Sequence, residues 1–175
     1  LKTLTLGKGV TSIPDYFCEK QTALTEIDLL GLTSISNHAF DGCSSLSKAA
    51  FGSSLDSIGT AAFRYSKLDP SILPDSVTTI GNYAFANITD LTSVTLGANV
   101  TSLGDYAFSG CTSLTSATLN ADLTSLGADA FNGCTSLIAL DMSAVTSKDF
   151  LPDGSVMINR SDASLAIVYT LSLIH

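Results

Sequence analysis

Basic charge is scarce in this chain. Of its 175 residues eight are Lys or Arg and sixteen are Asp or Glu, a net charge of −8. Nucleic acids and anionic membrane surfaces are gripped through basic patches, so this balance argues against both as partners. Long apolar runs are missing as well, and nothing approaches the roughly 18 consecutive apolar residues of a bilayer-crossing helix. No membrane insertion is therefore expected of this segment. Charged residues of both signs make up only 14%, too few for a disordered polyelectrolyte. The hydrophobic share is 45% and the mean hydropathy +0.36, enough to bury a continuous apolar spine.

The residues and motifs of catalysis are equally thin. There are two His and four Cys. No Cys-x-x-Cys pair occurs, and His38 cannot complete a zinc site with cysteines so distant in sequence, so no metal is expected. There is no G-x-S-x-G, no phosphate loop, no G-x-G-x-x-G and no calcium-binding nonapeptide. A nucleophile without a base, and phosphates without a glycine cradle, leave neither a catalytic nor a cofactor site to expect.

What the chain has is repetition. Phenylalanines stand at 17, 40, 63, 85, 108 and 131, separated by 23, 23, 22, 23 and 23 residues. The stretch AFSGCTSL at 107–114 returns as Ala39-Phe40 with DGCSSL, Ala62-Phe63, Ala84-Phe85 with ANITDL and Ala130-Phe131 with NGCTSL. So regular a period in so short a chain predicts a solenoid, whose units touch only their neighbours and share no central core.

One unit can be read from Leu91. Leu91, Val94 and Leu96 form L-x-x-V-x-L, in which 94 and 96 share a face and 95 points away, as in a strand. Gly97-Ala98-Asn99 marks a turn, and Val100-Thr101-Ser102-Leu103 is a second short extended piece. Asp105 is placed to cap one short helical turn over DYAFSG, and Gly110 to end it with a left-handed backbone. Leu24, Ile27, Leu29, Leu32 and Ile35 repeat the template with one residue inserted after Phe17, and Leu68, Ser71, Leu73, Val77 and Ile80 form a unit one residue short. The expected fold is a leucine-rich-repeat solenoid of about 23 residues per repeat. Each repeat gives a rung of a parallel sheet, about 4.8 Å from the next, and a short helical turn, with the Phe of each filling the space between. The array spans 1–151. Pro152 and Gly154 break it, and 155–159 with 165–170 read as a terminal β-hairpin within 152–170. The start at Leu1, in mid-repeat and without Met, reads as a fragment. The last five residues, 171–175, resemble the translation of a sequencing-library adapter and read as a non-native tail.

The combination L-x-x-V-x-L followed by V-T-S-L-G-x-x-A-F-x-G-C, in register about six times over most of 1–142, resembles the BspA-type leucine-rich repeats of bacterial and protist surface proteins. Tyr65-Ser66 and Asn87-Ile88 depart from its Gly-Cys pair. The resemblance implies a non-enzymatic module of a cell-surface or secreted protein, engaged in adhesion. It also implies a protein or glycan partner on host, matrix or a neighbouring cell, and a hairpin of the kind that interrupts such arrays. It supplies no residue-level binding motif.

Strand alternation supplies one. The residues between the apolar positions must face solvent, and across the rungs they form columns. Glu26, Asp28, Lys48, Thr95, Thr118 and Asp141 are the candidate binding face, with Thr3, Thr5, Ala50, Ile72, Ser93, Ser116 and Ala139 alongside. This broad, shallow surface suits a macromolecule better than a small ligand. A passive spacer and an intracellular scaffold are the alternatives. Cys43, Cys111 and Cys134 share one place, three after the Phe, and are expected as buried reduced thiols, although adjacent rungs would let 111 and 134 pair. The Thr-Ser column at 11, 33, 78, 101 and 124 is expected as an ordinary solvated strand edge rather than an ice-binding array. Asn87, Asn99 and Asn159 head glycosylation sequons, weak signals in a chain rich in Ser and Thr.

Overall fold

The computed structural model describes residues 2–7, 9–69, 73–120, 122–141 and 144–145. The hairpin of 152–170, the tail of 171–175 and Ile72 lie outside them. The described residues wind as a coil that carries eleven short strands: β1 Thr3–Thr5, β2 Glu26–Leu29, β3 Ser34–Ile35, β4 Lys48–Phe51, β5 Ser57–Ile58, β6 Thr79–Ile80, β7 Ser93–Thr95, β8 Ser102–Leu103, β9 Ser116–Thr118, β10 Ser125–Leu126 and β11 Ala139–Asp141. Every pairing is parallel and joins residues 22 or 23 apart, such as Thr3 with Glu26 and Ser57 with Thr79. The repeat is thus one full coil.

Where one rung per repeat was expected, four of the coils carry two among the described residues. The second extended piece builds its own sheet, unbroken over five coils in the order β10-β8-β6-β5-β3. The first strands form two sheets of three, β1-β2-β4 and β11-β9-β7. Between the two in sequence lie residues 70–72, which are outside the described residues.

The core is a column, one rank of side chains per coil. Leu24, Ile27, Leu29, Leu32 and Ile35 of the second coil are at most 1% exposed; their counterparts in the fifth coil are buried alike, and in the sixth all but the partly buried Leu126. Phe40, Phe63, Phe85, Phe108 and Phe131 stack face to face at 5.3, 5.6, 5.3 and 5.6 Å, with interplanar angles of 11° or less. This lies within the favoured range for aromatic pairs, and each ring adds on the order of 1.5–3 kcal/mol by leaving water.

Phe17 does not belong to that column. Cys18 donates its N–H to the carbonyl of Ala39, as Phe40 does to Ala62. Tyr16 has the positive φ of 59° that His38 has at 54°. Cys18 therefore occupies the spine position, Phe17 matches Ala39, and no residue is inserted after Phe17. Phe17 is left 37% exposed and meets Phe40 only edge-on, at 6.4 Å and 87°.

The expected helical turn is also absent. Around each spine Phe the residues two before and two after have positive φ, for example Tyr106 at 56° and Gly110 at 73°. This alternation of hand aims every second N–H along the solenoid axis. Tyr106, Phe108 and Gly110 donate to Ala128, Ala130 and Asn132 of the next coil at 3.0, 2.8 and 2.7 Å. A helix would turn those N–H groups back along its own chain and forfeit the three bonds between coils. They offset the strain of holding Tyr or His in a left-handed conformation. Asp105 caps no helix, and its Oδ1 accepts the N–H of Ala128 one coil on, at 2.8 Å. Asn37 and Asn82 do the same for Thr60 and Asp105.

Candidate interaction surface

The six candidate residues stand in register columns on two separate sheets. On the first, Glu26 pairs in register with Lys48, and Asp28 with Ala50; Glu26, Asp28 and Lys48 are exposed. On the second, Thr95, Thr118 and Asp141 stand in one register column. Thr95 and Asp141 are exposed and Thr118 half-buried. The six residues thus form two trios, one on each of the two sheets. Asp28 is partly occupied, since its Oδ1 accepts the N–H of Leu30 at 2.9 Å.

The turn edge carries side chains that strand alternation does not find. Tyr16 stacks on His38 at 4.8 Å, and Tyr83 on Tyr106 at 4.9 Å. All four sit at the left-handed position two before the spine. Beside the first pair Asp41, only 4% exposed, takes both Arg64 nitrogens, Nε at 3.0 Å and Nη2 at 2.6 Å, and His38 Nδ1 at 2.9 Å. Burial pushes the Asp41 carboxyl up, but the hydrogen bonds and charges of Arg64 and His38 outweigh it and hold it below its ordinary value. Arg64 is raised in turn, first by its bond to Asp41. No nucleophile completes this trio; it is a clamp across two coils. Beside the second pair, the Tyr106 phenol is raised by its hydrogen bond to Asp129.

The four cysteines are buried and free. Cys43, Cys111 and Cys134 point their Sγ at the carbonyls of Cys18, Phe85 and Phe108, at 3.0, 3.3 and 3.2 Å. Burial pushes the Cys43 thiol up to about 11. The neighbouring Cys111 thiol, then burial, raises Cys134. Thiols held protonated in this way are packing groups, not nucleophiles. The Thr column is engaged too: Thr33, Thr78, Thr101 and Thr124 donate their hydroxyls to the carbonyl of the matching residue one coil earlier. Among the described residues no three His, Cys, Asp or Glu side chains gather as metal ligands, and no helix is long and apolar enough to cross a membrane.

A parallel solenoid with an aromatic spine and leucine-bearing rungs defines the class: a leucine-rich-repeat protein. Residues 58–148, just over half of the chain, match the model of the BspA type leucine-rich repeat region, in six copies, and the chain belongs to that family. It is similar to the crystal structure of a leucine-rich repeat protein of T. pallidum, at 26% identity and a TM-score of 0.73 over 80% of this chain and 69% of that one. It is also similar to a leucine-rich repeat protein of Bacteroides ovatus, at 28% identity and a TM-score of 0.72 over 79% of this chain and 39% of that one. No curated protein matches the sequence.

Proposed function

We propose that the array is a non-enzymatic binding module of a cell-surface or secreted protein, and that it takes a protein or glycan partner on the exposed columns of its first strands. The observation that carries this reading is the register of those columns. Glu26 beside Lys48, and Thr95 beside Thr118 and Asp141, hold polar side chains in rows fixed by the ladder beneath. A rigid row loses little conformational entropy on docking, and a shallow one suits a macromolecule. Weak contacts repeated over several coils add up when the partner spans them.

The test is surface plasmon resonance against immobilised extracellular-matrix proteins and glycans, with wild type and a variant carrying Glu26→Lys, Asp28→Lys and Asp141→Lys. Melting curves of both are needed, because Asp28 also holds the Leu30 N–H. At least one partner should bind wild type and lose about tenfold or more to the variant, the size expected when several rim charges are reversed. Binding indifferent to the triple change would take the site off this face. Binding to none of the panel would favour a spacer.

A further inference from the structure

Charge is unevenly distributed along the array. From 1 to 67 six acidic residues are matched by six basic ones, whereas from 68 to 147 there are seven aspartates and no Lys, Arg or His. The two basic residues nearest the border are already engaged, Arg64 with Asp41 and Lys67 with Asp90. The field of the later coils is therefore negative throughout, and it draws cations.

One place in those coils adds anchoring surface to that field. Tyr83 and Tyr106 lie parallel, 6° apart, and Tyr83 is 37% exposed. Asp129 occupies the next left-handed place in the same column. Asp105 precedes Tyr106, held by the Ala128 N–H. The Asp105 carboxylate is thus oriented by the fold, and the sequence around both carboxylates offers no cation. The earlier coils also stack two rings, Tyr16 on His38, but the carboxylate beside them, Asp41, stands one residue after the spine and is answered by Arg64. The carboxylates of the later edge have no guanidinium of the chain beside them from 68 to 147.

We propose that the turn edge formed by Tyr83, Tyr106, Asp105 and Asp129 docks a basic protein segment, an extended stretch presenting arginine. A guanidinium pairs with carboxylates through parallel N–H bonds, and its flat apolar stem packs along tyrosine rings as a lysine ammonium does less well. Tyrosine and arginine are also the side chains that anchor interfaces. This edge lies on the turns and is separate from the strand columns, so either surface works without the other.

The experiment is fluorescence anisotropy with a labelled short peptide alternating Arg and Ala, read at low and at physiological salt. Wild type should bind it, more weakly as salt rises, and should bind the Glu-for-Arg peptide not at all. Tyr83→Ala with Tyr106→Ala should weaken binding by about tenfold, as loss of aromatic anchors does. Asp105→Asn with Asp129→Asn keeps one acceptor oxygen at each place, enough for the Ala128 N–H, and removes the charge; it should weaken binding by several fold. If the tyrosine variant melts out, the Asn variant alone decides. Glu26→Lys with Asp28→Lys should leave binding within about twofold of wild type, because these side chains lie on the strand columns of the other half. Absence of binding at low salt, or binding unchanged in the Asn variant, would overturn the proposal; the latter would mean diffuse acidity acts without this edge.

Discussion

The first three coils and the next three share one spine and differ at the surface. Ring spacing is 5.3 Å between Phe40 and Phe63 and 5.3 Å between Phe85 and Phe108. Both halves use aspartates to cap the backbone of the next coil, as Asp15, Asp75 and Asp105 do for Asn37, Ala98 and Ala128, yet only the earlier coils bury a carboxylate against a guanidinium, Asp41 with Arg64. The lesson is a division of labour. Stability comes from a column that repeats, so the positions around it are free to carry a local purpose.

The largest change comes from breaking the shared column. Phe108→Ala, between two stacked neighbours at 5.3 and 5.6 Å, should lower stability by about 3–5 kcal/mol, the cost of a buried aromatic truncation. Hydrogen exchange should show the loss in the adjacent coils as well. Cys18→Ala, at the same place in the first coil, should cost less than about 2 kcal/mol, because a thiol fills less space and only one coil side is packed on it. Equal losses by chemical denaturation would break the comparison.

Next is the tight place before each turn. A Cβ on Gly104 would sit 2.5 Å from the backbone N of Asn82. Gly104→Ser should therefore cost about 1–3 kcal/mol as the coils are forced apart. In the second coil that place is already serine: Ser36 donates to the Ile13 carbonyl. Ser36→Gly should change the denaturation midpoint by less than about 1 kcal/mol, since it removes a hydrogen bond but relieves no clash.

These comparisons also show what could be read in advance. The period, the phenylalanines from 40 onward and the outward strand positions follow from spacing alone, because burial enforces it. Phe17 misled because separations of 22 and 23 both occur, so an aromatic one residue early still fits the count. The turns misled because DYAFSG has the local signature of a capped helix; the deciding term is hydrogen bonding to the next coil, which no local window contains. The stacked tyrosines had a signal: Tyr83 and Tyr106 each stand two before a phenylalanine. His38 and Ala61 in the same column hid it. No feature of the sequence announces that this place is left-handed.

The charge contrast can be sharpened with pH. The folded Asp41 carboxyl lies below its ordinary value, so its contribution is present above the unfolded pKa of about 3.9 and is lost as pH falls through the lower folded value. At neutral pH, Asp41→Asn should cost about 1–2 kcal/mol, discounted because the Arg64 side chain is 32% exposed. In melts taken at decreasing pH, the gap between wild type and variant should close below about pH 4. Asp90→Asn, whose partner Lys67 lies 4.0 Å away with both side chains well exposed, should cost less than about 0.5 kcal/mol at neutral pH. A gap at Asp41 that persists in acid would mean packing, not charge, is what the carboxylate supplies.

The smallest effect tests a polar column that both halves share. The Thr101 hydroxyl donates to the Thr78 carbonyl at 3.2 Å, and the Thr101 backbone N–H reaches the same carbonyl at 2.8 Å. Thr101→Val keeps the β-branched shape and removes only the second donor. The carbonyl stays bonded and the site is exposed to water, so the cost should be about 0.5 kcal/mol, at the low end for a hydrogen bond. Thr33→Val, which removes a 3.2 Å bond to the Thr11 carbonyl among the earlier coils, should cost the same. Equality would show that the hydroxyls act on the backbone ladder alike in both halves, beneath whatever the surface charges do. A loss above about 2 kcal/mol at Thr101 alone would exceed what one solvent-exposed hydrogen bond supplies. It would make this column a structural element particular to the acidic half.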